Sequence, residues 1–128
     1  MNILGTGIDI INNKRIRALI NNKSFINRTF GKSEIKLSKK ISNKTNYFAK
    51  RFAAKESLAK SLGTGFRNNL NFKDIEILND NKGKPYYFIS KKIDNIINVK
   101  FKVKKYNLFL SMSDEENYSI AFTILQTQ

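Results

Sequence analysis

The chain has no cysteine and no histidine. The first absence excludes a disulfide framework and thiol chemistry; the second removes the side chain that most often serves as general base or metal ligand near neutral pH. Any metal must therefore sit on oxygen. Nowhere do about 18 apolar residues follow one another, as a membrane-spanning helix requires, and the N-terminal MNILGTGIDIINNKR lacks the basic lead-in and long apolar run of a secretion signal. A cytoplasmic protein without a membrane partner is the expectation. Proline occurs once, at Pro85 in NDNKGKPYYF, and no Gly/Pro/Ser-rich linker or internal repeat divides the sequence, so residues 1–128 are expected to form one domain.

Acidic residues are also scarce, 10 against 24 Lys and Arg, for a net charge of +14. The excess is uneven: residues 1–64 hold 14 basic residues against three acids (Asp9, Glu34, Glu56), and residues 65–128 hold 10 against seven. Such a field attracts nucleic acid, an anionic membrane, phosphate-rich small molecules or an acidic protein, and its sign alone does not choose. Lys, Asn and Ile are all abundant, as an AT-rich coding sequence produces, so part of this charge reads as ordinary solvated surface. Hydrophobic residues make up 41% and aromatic residues 12%, enough for a packed interior.

Patterning divides the chain into elements. Residues 3–11 read as a strand, with glycines at 5 and 7 where small size permits close approach. A basic helix is expected over 12–21, with Ile16, Leu19 and Ile20 on one side, and another over 33–41. The strongest helix covers 46–62 and stops at Gly63, a residue suited to a helix C-terminus. Strands are expected over 72–78, 86–89, 98–103, 106–112 and 118–125, with a short helix over 90–97. Helices first and strands later predict an α+β fold, a mostly antiparallel sheet wrapped around a long central helix.

That helix contains RFAAKESLAKSLGTG, residues 51–65. At about 100° per residue, Phe48, Phe52, Ala59 and Leu62 share a core face, with Leu58 at its edge, and Glu56 and Lys60 emerge on its flank. An i,i+4 Glu–Lys pair is also an ordinary helix stabiliser worth about 0.2–0.5 kcal/mol. Two features point further. Lys55 projects within the apolar sector, and Ala49, Ala53, Ala54 and Ala59 keep the helix surface low, as close approach by another group requires. Asp9, between Ile8 and Ile10, faces the side of Gly7 and Ile11 by strand alternation. Two carboxylates suffice for Mg²⁺, which keeps water and completes its octahedron with substrate phosphates. Asp9, Glu56 and flanking lysines would then clamp a pyrophosphate.

The segments GIDI (7–10) with KRI (14–16), RFAAKESLAKSLGTG (51–65), FKDIEI (72–77), GKPYY (83–87) and LSMSDEENYSIAFTI (110–124) stand in an order and spacing that resemble the holo-(acyl-carrier-protein) synthases, the small trimeric branch of the 4'-phosphopantetheinyl transferases. The resemblance implies transfer of phosphopantetheine from coenzyme A to a serine of an apo-acyl carrier protein, releasing 3',5'-ADP. It implies that Asp9 and Glu56 hold Mg²⁺ against the coenzyme A diphosphate and that Lys60 neutralises charge on the phosphoryl group. The serine proton would go to Glu56, directly or through a water. Arg51 and Lys55 would reach coenzyme A phosphates. Lys84 and Pro85 would line the adenosine site from a neighbouring subunit of a homotrimer, and Lys14, Arg15 and Arg17 would dock the acidic carrier protein.

One segment departs from the family pattern. Where relatives carry H-x-S-x-S/T-H, this chain reads Phe109-Leu110-Ser111-Met112-Ser113-Asp114. Ser111 and Ser113 still offer hydroxyls to the 3'-phosphate, which is expected to be held differently, and histidine-based proton transfer is excluded. Two alternatives stay open at this point. One is a nucleic-acid-binding module, suggested by KFKVKKYNLF (100–109), although alternation there equally fits a half-buried strand and nucleic acid is not the expected partner. The other is an inactive relative that only binds carrier protein.

Overall fold

The computed structural model describes residues 1–67 and 69–128. In chain order the elements are β1 (Ile3–Asn12), α1 (Asn13–Arg17), α2 (Lys23–Thr29), α3 (Lys32–Ser38), α4 (Lys44–Ser61), a 3₁₀ turn (Phe72–Asp74), β2 (Glu76–Asn79), β3 (Pro85–Phe88), α5 (Lys91–Phe101), β4 (Tyr106–Asp114) and β5 (Tyr118–Thr127). An antiparallel three-stranded sheet, ordered β1-β5-β4, packs on α4; β2 and β3 form a separate antiparallel hairpin. This is the expected α+β architecture.

Two glycines set how closely β1 lies on α4. A methyl group at Gly5 would run into the backbone carbonyl of Ser61, and one at Gly7 into that of Ser57. Only a strand without side chains at these positions can seat directly on the helix backbone. Period-two alternation then brings Asp9 and Ile11 to the same inner face. Ile11 completes the core with Ile16, Phe48, Ala53, Leu58, Leu62, Ala121 and Leu125. The buried hydroxyls are satisfied together: Thr123 Oγ1 lies 2.6 Å from Ser57 Oγ and 2.7 Å from Tyr87 Oη, and Tyr87 donates to the Ala54 carbonyl at 2.7 Å. That network ties α4 to β3 and β5.

The other face of the sheet is apolar and uncovered. Ile8 stands opposite Phe122 and Ile10 opposite Ile120, while Phe122 is opposite Ser111 and Ile124 opposite Phe109. Ile8 is 56% exposed and Ile10 61%.

Three expectations for local structure are corrected. Residues 98–103 do not form a strand: Ile93, Ile97 and Phe101 continue a four-residue spacing, α5 runs through Phe101, and Lys102 ends it in the left-handed conformation at φ 56°. The first basic helix stops at Arg17, and a separate helix, α2, begins after Asn22, whose side chain accepts the Phe25 N–H at 3.1 Å. Residues 72–74 are a 3₁₀ turn, so β2 is shorter than its apolar pattern. No helix among the described residues is long and apolar enough to cross a membrane.

Candidate active site

The inner face of β1 and the flank of α4 bring Asp9, Glu56 and Lys60 together. Lys60 donates to Asp9 Oδ1 at 3.1 Å and to the Ile8 carbonyl at 2.9 Å, so its ammonium is tethered to β1 while its side chain remains 52% exposed. The Asp9 side chain is 16% exposed. Burial raises the Glu56 pKa, as does the Asp9 charge beside it; Lys60 and Arg15 act in the opposite direction. Glu56, Asp9, Lys60 and the first residues of α1 thus share one electrostatic neighbourhood.

Two carboxylates whose charges act on each other, with one tethered lysine beside them, suit a hard divalent cation. No group of three or more acidic ligands occurs among the described residues. The donor set therefore fits an ion that keeps water and takes phosphate oxygens, the habit of Mg²⁺, and does not fit an all-protein cage. Phe52, one turn before Glu56, helps line a cavity of about 1000 Å³ with Phe25, Phe66, Leu70 and Phe72. The rings of Phe52, Phe72 and Phe66 stack successively at 5.0 and 3.9 Å.

Lys55 does not reach this cleft. Its side chain is wholly buried, and its three protons go to Glu34 Oε1 at 2.7 Å, to the Phe72 carbonyl at 3.2 Å and to the Ile75 carbonyl. Burial lowers its pKa and the Glu34 charge opposes that shift. The expectation that Lys55 reaches a coenzyme phosphate is corrected: its place in the apolar sector reflects a buried ion pair. Glu34 uses its remaining capacity on the Gly31 N–H at 2.9 Å and the Ile77 N–H at 3.2 Å, so one carboxylate joins α3, α4 and β2. Arg51 is also turned inward, its guanidinium 3.8 Å from the Tyr47 ring and Nη2 2.5 Å from Asn79 Oδ1. Its Nε is buried without a protein partner among the described residues.

The remaining expected residues are distributed. Lys14, Arg15 and Arg17 are exposed on α1. Ser111 and Ser113 are exposed on the outer sheet face, opposite Phe122 and Ile120, whereas Asp9 is on the inner face. Lys84 and Pro85 lie at the β2–β3 turn, which Asp80 organises by accepting the N–H groups of Lys82 and Lys84 at 2.8 Å each. Within one chain, then, only Asp9, Glu56, Lys60 and the start of α1 converge.

The family model described as the 4'-phosphopantetheinyl transferase superfamily matches residues 5–123. The chain belongs to this superfamily. Over 126 residues it is 53% identical to the holo-(acyl-carrier-protein) synthase of Pelagibacter ubique, with 98% of both chains covered. Its fold is similar to the solved holo-(acyl-carrier-protein) synthase of Neisseria meningitidis, with TM-score 0.88 and 35% identity over 98% of this chain and 100% of that one. It is also similar to the Bacillus anthracis holo-(acyl-carrier-protein) synthase solved in complex with CoA (3',5'-ADP), with TM-score 0.81 and 32% identity over 98% of each chain.

For a transferase of this superfamily, the two positions expected to hold histidine are resolved differently. Phe109 joins the exposed outer face. Asp114, at the exposed end of β4, faces α4, where Oδ1 lies 3.3 Å from Lys50 Nζ and Oδ2 accepts from Asn46 Nδ2 at 2.8 Å. An acid–lysine pair between β4 and α4 thus occupies the second position. Sequence reasoning missed Asn13, Asn46 and Lys50; nothing in their spacing distinguishes them from solvated polar residues until the β4–β5 turn is seen against α1 and α4.

Proposed function

We propose that the cleft formed by Asp9, Glu56 and Lys60 is where this holo-(acyl-carrier-protein) synthase moves 4'-phosphopantetheine from coenzyme A to a serine of apo-acyl carrier protein. The observation that carries this reading is the convergence of two carboxylates from β1 and α4 with a tethered lysine. The serine oxygen attacks the phosphorus attached to pantetheine, the bond from that phosphorus to the bridging oxygen breaks, and 3',5'-ADP leaves. Asp9 and Glu56 would hold Mg²⁺, which when bound supplies positive charge against the diphosphate. Lys60 neutralises charge on the transferring group. Glu56 takes the serine proton, directly or through a water. The aromatic cavity beside Phe52 offers the pantetheine arm an apolar wall.

The acidic carrier protein docks on α1 through Lys14, Arg15 and Arg17, where opposite charge favours encounter and register. A homotrimer with sites between subunits is supported by two features. The outer face presents Ile8, Ile10, Phe109 and Phe122 to solvent, and Ser111 and Ser113 share that face, away from Asp9. A neighbouring subunit would then bring its own Lys84 and Pro85 toward the adenosine and these serines toward the 3'-phosphate. Arg51, buried in one chain, contributes only if its unpartnered Nε opens toward that phosphate. The place of action is the cytoplasm. Incubation with coenzyme A, Mg²⁺ and an apo carrier protein should add one phosphopantetheine to the carrier by intact mass; no gain with a carrier that another transferase modifies would overturn the reading.

A further inference from the structure

Asn13 is polar and fully buried. Its Nδ2 donates to the carbonyls of Glu115 at 3.0 Å and Glu116 at 3.1 Å, its Oδ1 accepts from Ser119 Oγ at 2.7 Å, and its backbone N–H donates to the Asn117 carbonyl at 2.8 Å. Every hydrogen-bonding group of the first residue of α1 other than its carbonyl is thereby spent on the β4–β5 turn and the start of β5. That turn is gripped from the other side as well. The Glu115 carbonyl accepts a second bond from Asn46 Nδ2 at 3.1 Å, and the same amide and Lys50 hold Asp114.

The helix so anchored has five residues, Asn13–Arg17. A helix of that length has no stability of its own in water, so its direction comes from what ties it down. Besides Asn13, only Ile16 is buried, and an apolar contact fixes distance better than bearing. The side chains left outside are Lys14, Arg15 and Arg17, and Arg15 is the one whose charge reaches Glu56.

We propose that Asn13 is a positioning residue for carrier-protein recognition: by locking α1 onto the β4–β5 turn, it fixes the bearing of Lys14, Arg15 and Arg17 relative to the Asp9–Glu56–Lys60 cleft. This rests on the reading that α1 receives the acidic carrier. When Asn13 is replaced, α1 samples several bearings, and apparent affinity for the carrier falls in proportion to the competent fraction. Asn13 makes no hydrogen bond to Asp9, Glu56 or Lys60, so the cleft itself stays intact.

The test uses Asn13→Ala, Asn13→Asp and Ser119→Ala in the full chain. Asn13→Asp keeps the shape but sets an acid against two carbonyls in place of two donors. Expected is a KM for apo carrier raised about tenfold in the Asn13 variants, the effect of a competent fraction near one tenth, and less in Ser119→Ala, with kcat and the KM for coenzyme A within about twofold. Amide exchange of residues 14–17 should accelerate in the same variants. Unchanged exchange overturns the latch. Faster exchange with an unchanged carrier KM, or equal changes in both KM values, leaves Asn13 a merely structural residue and overturns the proposal. If the wild-type chain transfers nothing, the reading of the cleft has failed separately, and direct binding of apo carrier to wild type and variants decides the role of Asn13. Should Asn13→Ala and Asn13→Asp not fold, Ser119→Ala decides by the same readings, an unchanged carrier KM counting against the proposal.

Discussion

The Lys60 ammonium lies 3.1 Å from the Asp9 carboxylate, joining α4 to β1 across 51 positions of sequence. Lys60 also donates to the Ile8 carbonyl, which leaves one of its three protons for a substrate. An exposed ion pair contributes about 0–1 kcal/mol to stability, whereas a preorganised cation at a transferring phosphoryl group acts in the transition state. Lys60→Met should therefore lower kcat by about 100-fold or more, the scale of a lost electrostatic donor, with a melting temperature close to wild type. Steady-state kinetics beside a thermal melt checks both halves; a large loss of stability with little loss of rate would make Lys60 a structural tie.

Lys55, five residues earlier on the same helix, should behave in the opposite way. Its ammonium is sealed against Glu34 with all three protons placed, and removing one member strands the other as a buried unpaired charge. Lys55→Met is expected to cost about 3–5 kcal/mol in urea unfolding. Adding Glu34→Gln should recover part of that loss, since the two positions are coupled. A Lys55→Met protein of wild-type stability with a raised KM for coenzyme A would reinstate the phosphate-binding role.

Much of the fold and the cleft was legible in the sequence, and the misses have physical causes. The Gly5-x-Gly7-x-Asp9 alternation announced a strand lying close on something and aiming its carboxylate inward, because period two follows from strand geometry alone. The long helix and its Glu56–Lys60 flank followed from the 3.6-residue period. Lys55 was misread because a cation on an apolar face looks identical whether it faces a ligand or a buried Glu34, and that partner comes from α3, 21 positions away. Residues 98–103 were misread because KFKV alternates locally, while Ile93, Ile97 and Phe101 carry the longer helical period. Asn13 gave no signal, since its partners lie more than 100 positions downstream.

The hydroxyl network beneath α4 makes stability pH-dependent in alkali. Burial raises the Tyr87 pKa from 10.0 to about 12, with the Ser57 and Thr123 hydroxyls opposing. The folded state therefore holds this proton more tightly than the unfolded chain. Its contribution is full below pH 10 and is lost as pH rises through about 12. Tyr87→Phe should cost about 1 kcal/mol at neutral pH, a typical net hydrogen bond, and the gap between wild type and variant should narrow across that alkaline window. Unfolding curves at about pH 8, 10 and 12, which span the window in which this proton is lost, measure it; a gap that widens with pH would contradict the assignment.

The measurement that bears most directly on the cleft is the divalent-ion dependence of transfer in wild type, Asp9→Asn and Glu56→Gln, followed by the intact mass of the carrier protein and paired with isothermal titration of Mg²⁺ in the presence of coenzyme A. Wild type should modify the carrier only when Mg²⁺ is supplied and should show a Mg²⁺-binding heat. Both variants should lose that heat and nearly all transfer while melting close to wild type, because Glu56 is half-buried and each substitution keeps the side-chain shape. Full transfer by wild type in excess chelator, or wild-type Mg²⁺ binding by the Glu56→Gln protein, would contradict a metal gripped between these two carboxylates.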